Sequence, residues 1–164
     1  RQGIISIIIS AALIVLFMIF YYRLSGVIAD IALILNVLLV FAVLAILRAT
    51  LTLPGIAGLV LSVGMAVDAN ILVHERIKEE LRWGKTIRAA IDQGYHRAFT
   101  TIIDSNLTTV IAALFLYQFG TGPVKGFAVT LFWGITANIF TAVFVTRWMF
   151  DYLTLKVGMK KLSI

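Results

Sequence analysis

The chain has 164 residues, 61% hydrophobic and 13% charged, with a net charge of +6, a mean hydropathy of +1.02 and no cysteine. Soluble domains carry roughly 25% charged residues, so the composition excludes a water-soluble fold and points to an integral membrane protein. The absence of cysteine also excludes disulfides, thiolate metal sites and thiol nucleophiles.

A membrane-spanning helix needs about 20 mostly apolar residues. Five stretches reach that length, 4–22, 27–47, 54–73, 99–118 and 126–146, which predicts an all-α polytopic bundle of five transmembrane helices. The first stretch is longer than the apolar core of about 7 to 15 residues found in a signal peptide, so it reads as a true span. The first two stretches are rich in Ile, Leu, Val and Phe, with Asn36 as their one strongly polar interior residue. Arg23 to Gly26 forms a tight turn between them, and Asp30 lies just inside the second helix. Pro54 suits the first turn of the third helix, where its missing N–H needs no partner.

The third and fifth stretches carry small or polar residues at every fourth position. One ladder is Gly58, Ser62, Ala66 and Asn70; the other is Gly126, Thr130, Gly134, Asn138, Ala142 and Thr146. In lipid, helices associate through close backbone approach at small residues and through interhelical hydrogen bonds. The ladders therefore predict packing seams, although Ala and Gly are abundant in membrane helices generally.

Between the third and fourth stretches lies a long polar loop, 74–97. It opens with Glu75, Arg76, Lys78, Glu79 and Glu80 as an extension of the third helix, and Gly84 breaks it. Beyond Lys85, the residues Ile87, Ala90, Ile91, Tyr95 and Ala98 recur at helical spacing opposite Lys85, Arg88 and Asp92. That pattern predicts an interfacial amphipathic helix, with docking of a cytoplasmic partner as the alternative. Phe119 to Gly126, with three glycines and Pro123, reads as a tight turn. Residues 147–164 form a polar tail.

The basic residues sort by side of the membrane. One side collects Arg23, Arg76, Lys78, Arg82, Lys85, Arg88, Arg97, Arg147, Lys156, Lys160 and Lys161, and the other only Arg1, Arg48 and Lys125. By the positive-inside rule the richer side is cytoplasmic, which puts the amino-terminal end outside and the carboxyl terminus inside. The positive charge thus reflects topology and implies no nucleic-acid partner. An outside start at Arg1 reads as a fragment of something longer, with an earlier helix ahead of it.

Asp68 is the costly residue of this chain, an acid within 54–73. Intramembrane acids are functional by default, and proton uptake is their usual escape from the cost of charge in lipid. Asp68 lies six residues before His74, about 9 Å at 1.5 Å per residue; Asp104 lies seven past Arg97, about 10 Å. The two acids sit at matching depth on consecutive antiparallel helices, where they could be neighbours. Asn70, Ser105, Asn106, Thr108 and Thr109 add hydrogen-bonding groups, and Asn36 and Asn138 lie slightly deeper. No Lys, Arg or His occupies a span interior, so Asp68 lacks a cation of its own chain. His74 and His96 are read as interfacial residues without catalytic duty. No zinc-protease motif, phosphate-binding loop or serine–base pairing is present, so neither metal nor cofactor is expected.

Several segments resemble one known family. They are Leu51-Thr52-Leu53-Pro54-Gly55-Ile56-Ala57-Gly58, Gly64-Met65-Ala66-Val67-Asp68-Ala69-Asn70 and Glu75-Arg76-Ile77-Lys78-Glu79-Glu80, then Asp104-Ser105-Asn106-Leu107-Thr108-Thr109, Gly120 through Ala128, and Lys160-Lys161-Leu162-Ser163-Ile164. This set resembles the carboxyl-terminal transmembrane part of the SecD family, within the resistance-nodulation-division superfamily.

The resemblance implies one half of a pseudosymmetric transmembrane domain, with SecF supplying the other. It implies a multi-pass protein of the bacterial inner membrane that works with the SecYEG channel, and with YidC and YajC as further candidate partners, on preprotein substrates. The expected function is coupling of proton flow to export, a transport role rather than enzyme catalysis. Asp68 matches the acid assigned to proton transport, and Asn70 shares its motif. Asp104 matches a family motif without an implied role. The competing readings are a passive assembly module of the translocon and a small-molecule exporter of the same superfamily.

Overall fold

The computed structural model describes residues 2–158 together with Leu162 and Ile164. Arg1, Lys160, Lys161 and Ser163, which belong to the charge asymmetry or the terminal motif, lie outside the described residues. Among the described residues all regular structure is helical. The elements are α1 (Gln2–Tyr22), α2 (Leu24–Ile46), α3 (Leu53–Arg82), α4 (Ile87–Phe119), α5 (Pro123–Ile139) and α6 (Thr146–Lys156), with a π-helical segment, Phe140–Val145, joining the last two. Five of the resulting helical runs are long and apolar enough to cross a membrane.

Helix ends follow from local chemistry. Thr52 caps α3 by accepting from the Gly55 N–H at 3.1 Å, with Pro54 in the first turn. Thr86 caps α4 in the same way, accepting from the Ala89 N–H. Between α3 and α4 the chain reverses at Gly84, whose φ of +82° suits a residue without a Cβ. The reversal between α1 and α2 is tighter than a four-residue turn, because Arg23 alone separates the helices. Gly26 makes that possible: a Cβ there would lie 2.0 Å from the Met18 carbonyl oxygen.

Helix α3 is central and packs on α5, α4 and α2, while α1 leans on α2 and is largely exposed along its length. The α3 and α5 helices run parallel, and their starts are joined by the Thr52 hydroxyl donating to the Pro123 carbonyl at 3.5 Å. Their small-residue rows face each other with no room to spare. A Cβ on Gly58 would meet Thr130 Oγ1 at 2.4 Å, and one on Gly134 would meet Ser62 Cβ at 2.4 Å. A Cβ on Gly126 would likewise meet Thr52 Oγ1 at 2.4 Å, and Asn138 donates to the Met65 carbonyl, beside Ala66, at 3.3 Å.

The amphipathic stretch after Lys85 is helical, but it forms the opening turns of α4 rather than a separate interfacial helix. Ala90, Ile91, Gly94, Tyr95 and Ala98 are buried. They belong to a core with Val73 and Ile77 of α3 and Phe150 of α6. The polar extension of α3 offers this surface something to pack on, which a bilayer interface would otherwise supply. Gly94 lets Ile77 in: a Cβ there would stand 2.6 Å from Ile77 Cγ1. At the same basic end Glu80, fully buried, is paired with Lys85 and with Arg97 at 3.1 Å, while Arg97 also lies 4.9 Å from the Trp83 ring centre.

Candidate functional site

Asp68 leaves the seam. Residues 58, 62, 66 and 70 turn toward α5, and at 100° per residue position 68 falls on the far side of α3. There it is exposed at the edge of a groove of about 210 Å³ between α3 and α4. Met65, Ala69 and Leu72 line the groove from α3, with Ile102, Ser105 and Asn106 from α4. Among the described residues Asp68 has neither a hydrogen bond nor an ion pair.

The two α4 groups in the groove each donate to their own helix. Asn106, 7% exposed, donates through Nδ2 to the Ile102 carbonyl at 2.7 Å, and Ser105 donates to the same oxygen at 3.1 Å. Ser105 thereby keeps only acceptor capacity, whereas the Asn106 amide retains a second N–H. Asp104 and Thr108 are exposed on α4 and are not among the groove's lining residues. The structure thus joins Asp68 to Ser105 and Asn106, with Asp104 on the adjoining outer surface of α4.

The remaining interior amides form a separate layer within the bundle. Asn36 and Asn138 are fully buried and Asn70 is 3% exposed. Asn36 donates to the Gly134 carbonyl at 3.5 Å and Asn138 to the Met65 carbonyl. The Oδ1 atoms of all three lack a hydrogen-bond partner. Just beyond this layer the fifth run passes into its π-helical segment, with Thr141, Ala142 and Val143 buried. Such segments recur at functional sites in helices, and no hydropathy pattern announces them.

His74 is also misjudged by sequence. Rather than resting at an interface it is buried to 1% exposure, its ring 5.0 Å from that of Tyr22 and 5.8 Å from that of Phe150. Burial, aided by the nearby Lys78 ammonium, holds its pKa well below the ordinary histidine value. Tyr95 is buried as well and meets the Thr146 hydroxyl at 2.7 Å; burial holds its phenol protonated. Neither aromatic pairing was legible, because the partners are at least 50 residues apart in sequence. His96 is exposed. Among the described residues no three His, Asp or Glu side chains gather as a metal site.

Comparison with known proteins agrees with this architecture. The family described as "Protein export membrane protein SecD/SecF, C-terminal" matches residues 1–156. A protein translocase subunit SecD of Syntrophobacter fumaroxidans is 61% identical over 164 residues, covering 100% of this chain and 31% of the relative. The Rhodothermus marinus SecD is 57% identical over 156 residues, 95% of this chain and 25% of that one. The chain therefore spans under a third of the length of these relatives. The crystal structure of SecDF, a translocon-associated membrane protein from Thermus thermophilus, superposes with a TM-score of 0.90 at 44% identity, covering 96% of this chain and 22% of that one. By sequence and by fold, the chain belongs to the SecD/SecF carboxyl-terminal family of protein-export membrane proteins.

Proposed function

We propose that this chain is the SecD-type half of a proton-coupled subunit of the protein-export machinery, with Asp68 as the group that takes protons from outside and releases them inside. The observation that carries the reading is the position of Asp68: an acid in a spanning helix, exposed on the bundle's outer surface and without a partner among the described residues. A side chain placed this way is open to water, to protons and to a second protein half, whereas a packing residue would be turned inward.

In this reading the basic end faces the cytoplasm of a bacterial cell, the amino-terminal end faces the periplasm, and the whole lies in the inner membrane. SecF supplies the complementary half and the missing cation, SecYEG is the channel assisted, and YidC and YajC are neighbours. Proton entry down a potential of 100 mV supplies about 2.3 kcal/mol per charge. That suffices to bias a bundle between two packings differing by a few kcal/mol. Asn70, Asn106 and Asn138, with Asp104 and Thr108, support the site as polar groups of its own helices and of α5. Gly58, Ser62, Ala66, Gly126 and Gly134 hold the α3–α5 seam against which such a change would work.

The test is Asp68→Asn in the full-length protein with SecF, assayed for preprotein export into inverted membrane vesicles with and without a proton gradient. A loss of at least tenfold in the gradient-dependent part is expected. Undiminished export would overturn the reading in favour of a passive assembly module.

A further inference from the structure

A cleft of about 510 Å³ opens between the start of α4 and α6, away from the Asp68 groove. Thr86, Arg88 and Asp92 line it on the α4 side, with Arg147 and Asp151 of α6 opposite. Arg147 donates to Asp92 at 2.6 Å and stands 4.0 Å from Asp151, which sets the charged groups of both helices at one level. That level is fixed by sequence: Arg147 directly follows the fifth apolar stretch, 126–146, and Asp151 lies four residues on, about 6 Å. Headgroups add about 5–7 Å to each side of the hydrocarbon. The charged wall of the cleft therefore lies in the headgroup layer.

Its polar groups are not used up. Arg88 is exposed and makes no ion pair among the described residues. Thr86 accepts from the Ala89 N–H, and its own hydroxyl proton has no acceptor among the described residues. Asp92 and Asp151 each keep a carboxylate oxygen outside the contact with Arg147. The cleft thus sets donors for an anion beside acceptors for a cation. Its two arginines and two aspartates cancel in formal charge, so an ion of one sign alone would meet its like there.

A stripe of rings leads from the cleft into the membrane. Phe140, Phe144, Trp148 and Tyr152 recur at every fourth residue, share one helix face and are all exposed. Their rings pair along the helix, Phe140 with Phe144 at 6.0 Å and Trp148 with Tyr152 at 5.9 Å between centres. Trp148 and Tyr152 each follow a charged residue of the cleft by one position and carry the ring type that settles at headgroup level. An occupant that fills the cleft and follows the stripe needs a head of both charges and an apolar tail.

We propose that this cleft binds the headgroup of a zwitterionic phospholipid, a phosphodiester joined to a primary ammonium, with an acyl chain along the aromatic stripe. The phosphate accepts from Arg88 and Thr86, and the ammonium donates to Asp92 and Asp151. A purely anionic headgroup would set its charge against both carboxylates. A quaternary ammonium has no N–H to give them, and the Tyr152 ring that could receive it already faces the Lys156 ammonium, 5.2 Å from its centre.

The experiment uses the full-length protein purified with SecF in detergent and phosphatidylethanolamine carrying a photoreactive diazirine in one acyl chain, with adducts mapped by mass spectrometry. Labelling of the segment 140–156 is expected. Unlabelled phosphatidylethanolamine should suppress it at least fivefold more effectively than phosphatidylglycerol or phosphatidylcholine, and glycerophosphoethanolamine, which lacks the chains, should not compete. Arg88→Ala should reduce labelling of that segment at least fivefold. Arg82→Ala, an exposed arginine outside the cleft, should leave it unchanged and so controls for charge and folding. Asp151→Asn should let phosphatidylglycerol compete as well as phosphatidylethanolamine. Equal competition by the three lipids in the wild type, full labelling of Arg88→Ala, or competition by glycerophosphoethanolamine would overturn the proposal, the last in favour of a soluble ligand. The labelling reads neither export nor proton movement, so it stands or falls apart from the role of Asp68.

Discussion

Ser62 and Gly134 meet across the α3–α5 seam so closely that a Cβ on Gly134 would sit 2.4 Å from that of Ser62. Gly64, two residues along α3, has nothing within 4 Å of its own virtual Cβ. The same substitution therefore has opposite consequences at these two glycines. Gly134→Ala should destabilise the bundle by about 1–3 kcal/mol through overpacking. Gly64→Ala should be neutral or stabilising by up to about 1 kcal/mol through helix propensity. Thermal unfolding in detergent measures both, and equal effects would mean that the seam is not tight.

Glu80 organises the turn at the basic end. Its carboxylate is fully buried, whereas the side chains of Lys85 and Arg97 are 35% and 44% exposed. Removing the acid lets both cations turn to water but opens a polar cavity between α3 and α4. Glu80→Ala should cost about 2 kcal/mol, from the cavity and the lost charge-assisted hydrogen bonds rather than from a stranded charge. Lys85→Ala should cost less, since Arg97 still pairs. The readout is trypsin cleavage near Trp83 in the solubilised protein, which should accelerate in the order wild type, Lys85→Ala, Glu80→Ala.

Tyr95 and Thr146 differ as partners because Thr146 has one proton and places it on the Ala142 carbonyl at 2.6 Å. Tyr95 must then be the donor in their 2.7 Å contact. Tyr95→Phe removes that donor and should cost about 1 kcal/mol. Thr146→Val leaves a buried phenol with no acceptor and should cost about 1–3 kcal/mol. Denaturation of the two single variants and the double variant should give this order with strong non-additivity.

His74 is neutral in the fold, its pKa held below the ordinary value by burial and then by Lys78. The unfolded chain binds a proton near pH 6.5 and the folded one does not, so the unfolded state holds more protons below that pH. Stability from this group is full above about pH 6.5 and declines as pH falls below it. His74→Phe should flatten the decline between pH 6.5 and 5, with Tyr22 and Phe150 still in contact. An unchanged acid limb would assign that decline to other groups.

Length and hydropathy alone decide that the chain is five apolar helices, because a backbone in lipid must satisfy its own hydrogen bonds and only the helix does so within one segment. The four-residue recurrence of small side chains on 58–70 and 126–146 likewise marks surfaces able to approach closely, since that spacing puts them on one helix face. Pro54 and Gly84 give two of the turns through their own backbone limits. The cost of a charge in lipid singles out Asp68 from the letters alone.

Tertiary structure decided which side of each helix is used. Asp68 and Asn70 are only two positions apart, yet the helical turn sends one to the outer groove and the other into the bundle. Sequence depth put Asp104 level with Asp68, but only the packing of α3 on α4 gave the groove to Ser105 and Asn106 and left Asp104 on the outer surface. The π-helical segment, the continuity of α4 through its amphipathic start and the burial of His74 and Glu80 depend on contacts between residues far apart in the chain or on a neighbouring helix. Periodicity records which residues share a face; it carries no record of what that face will meet.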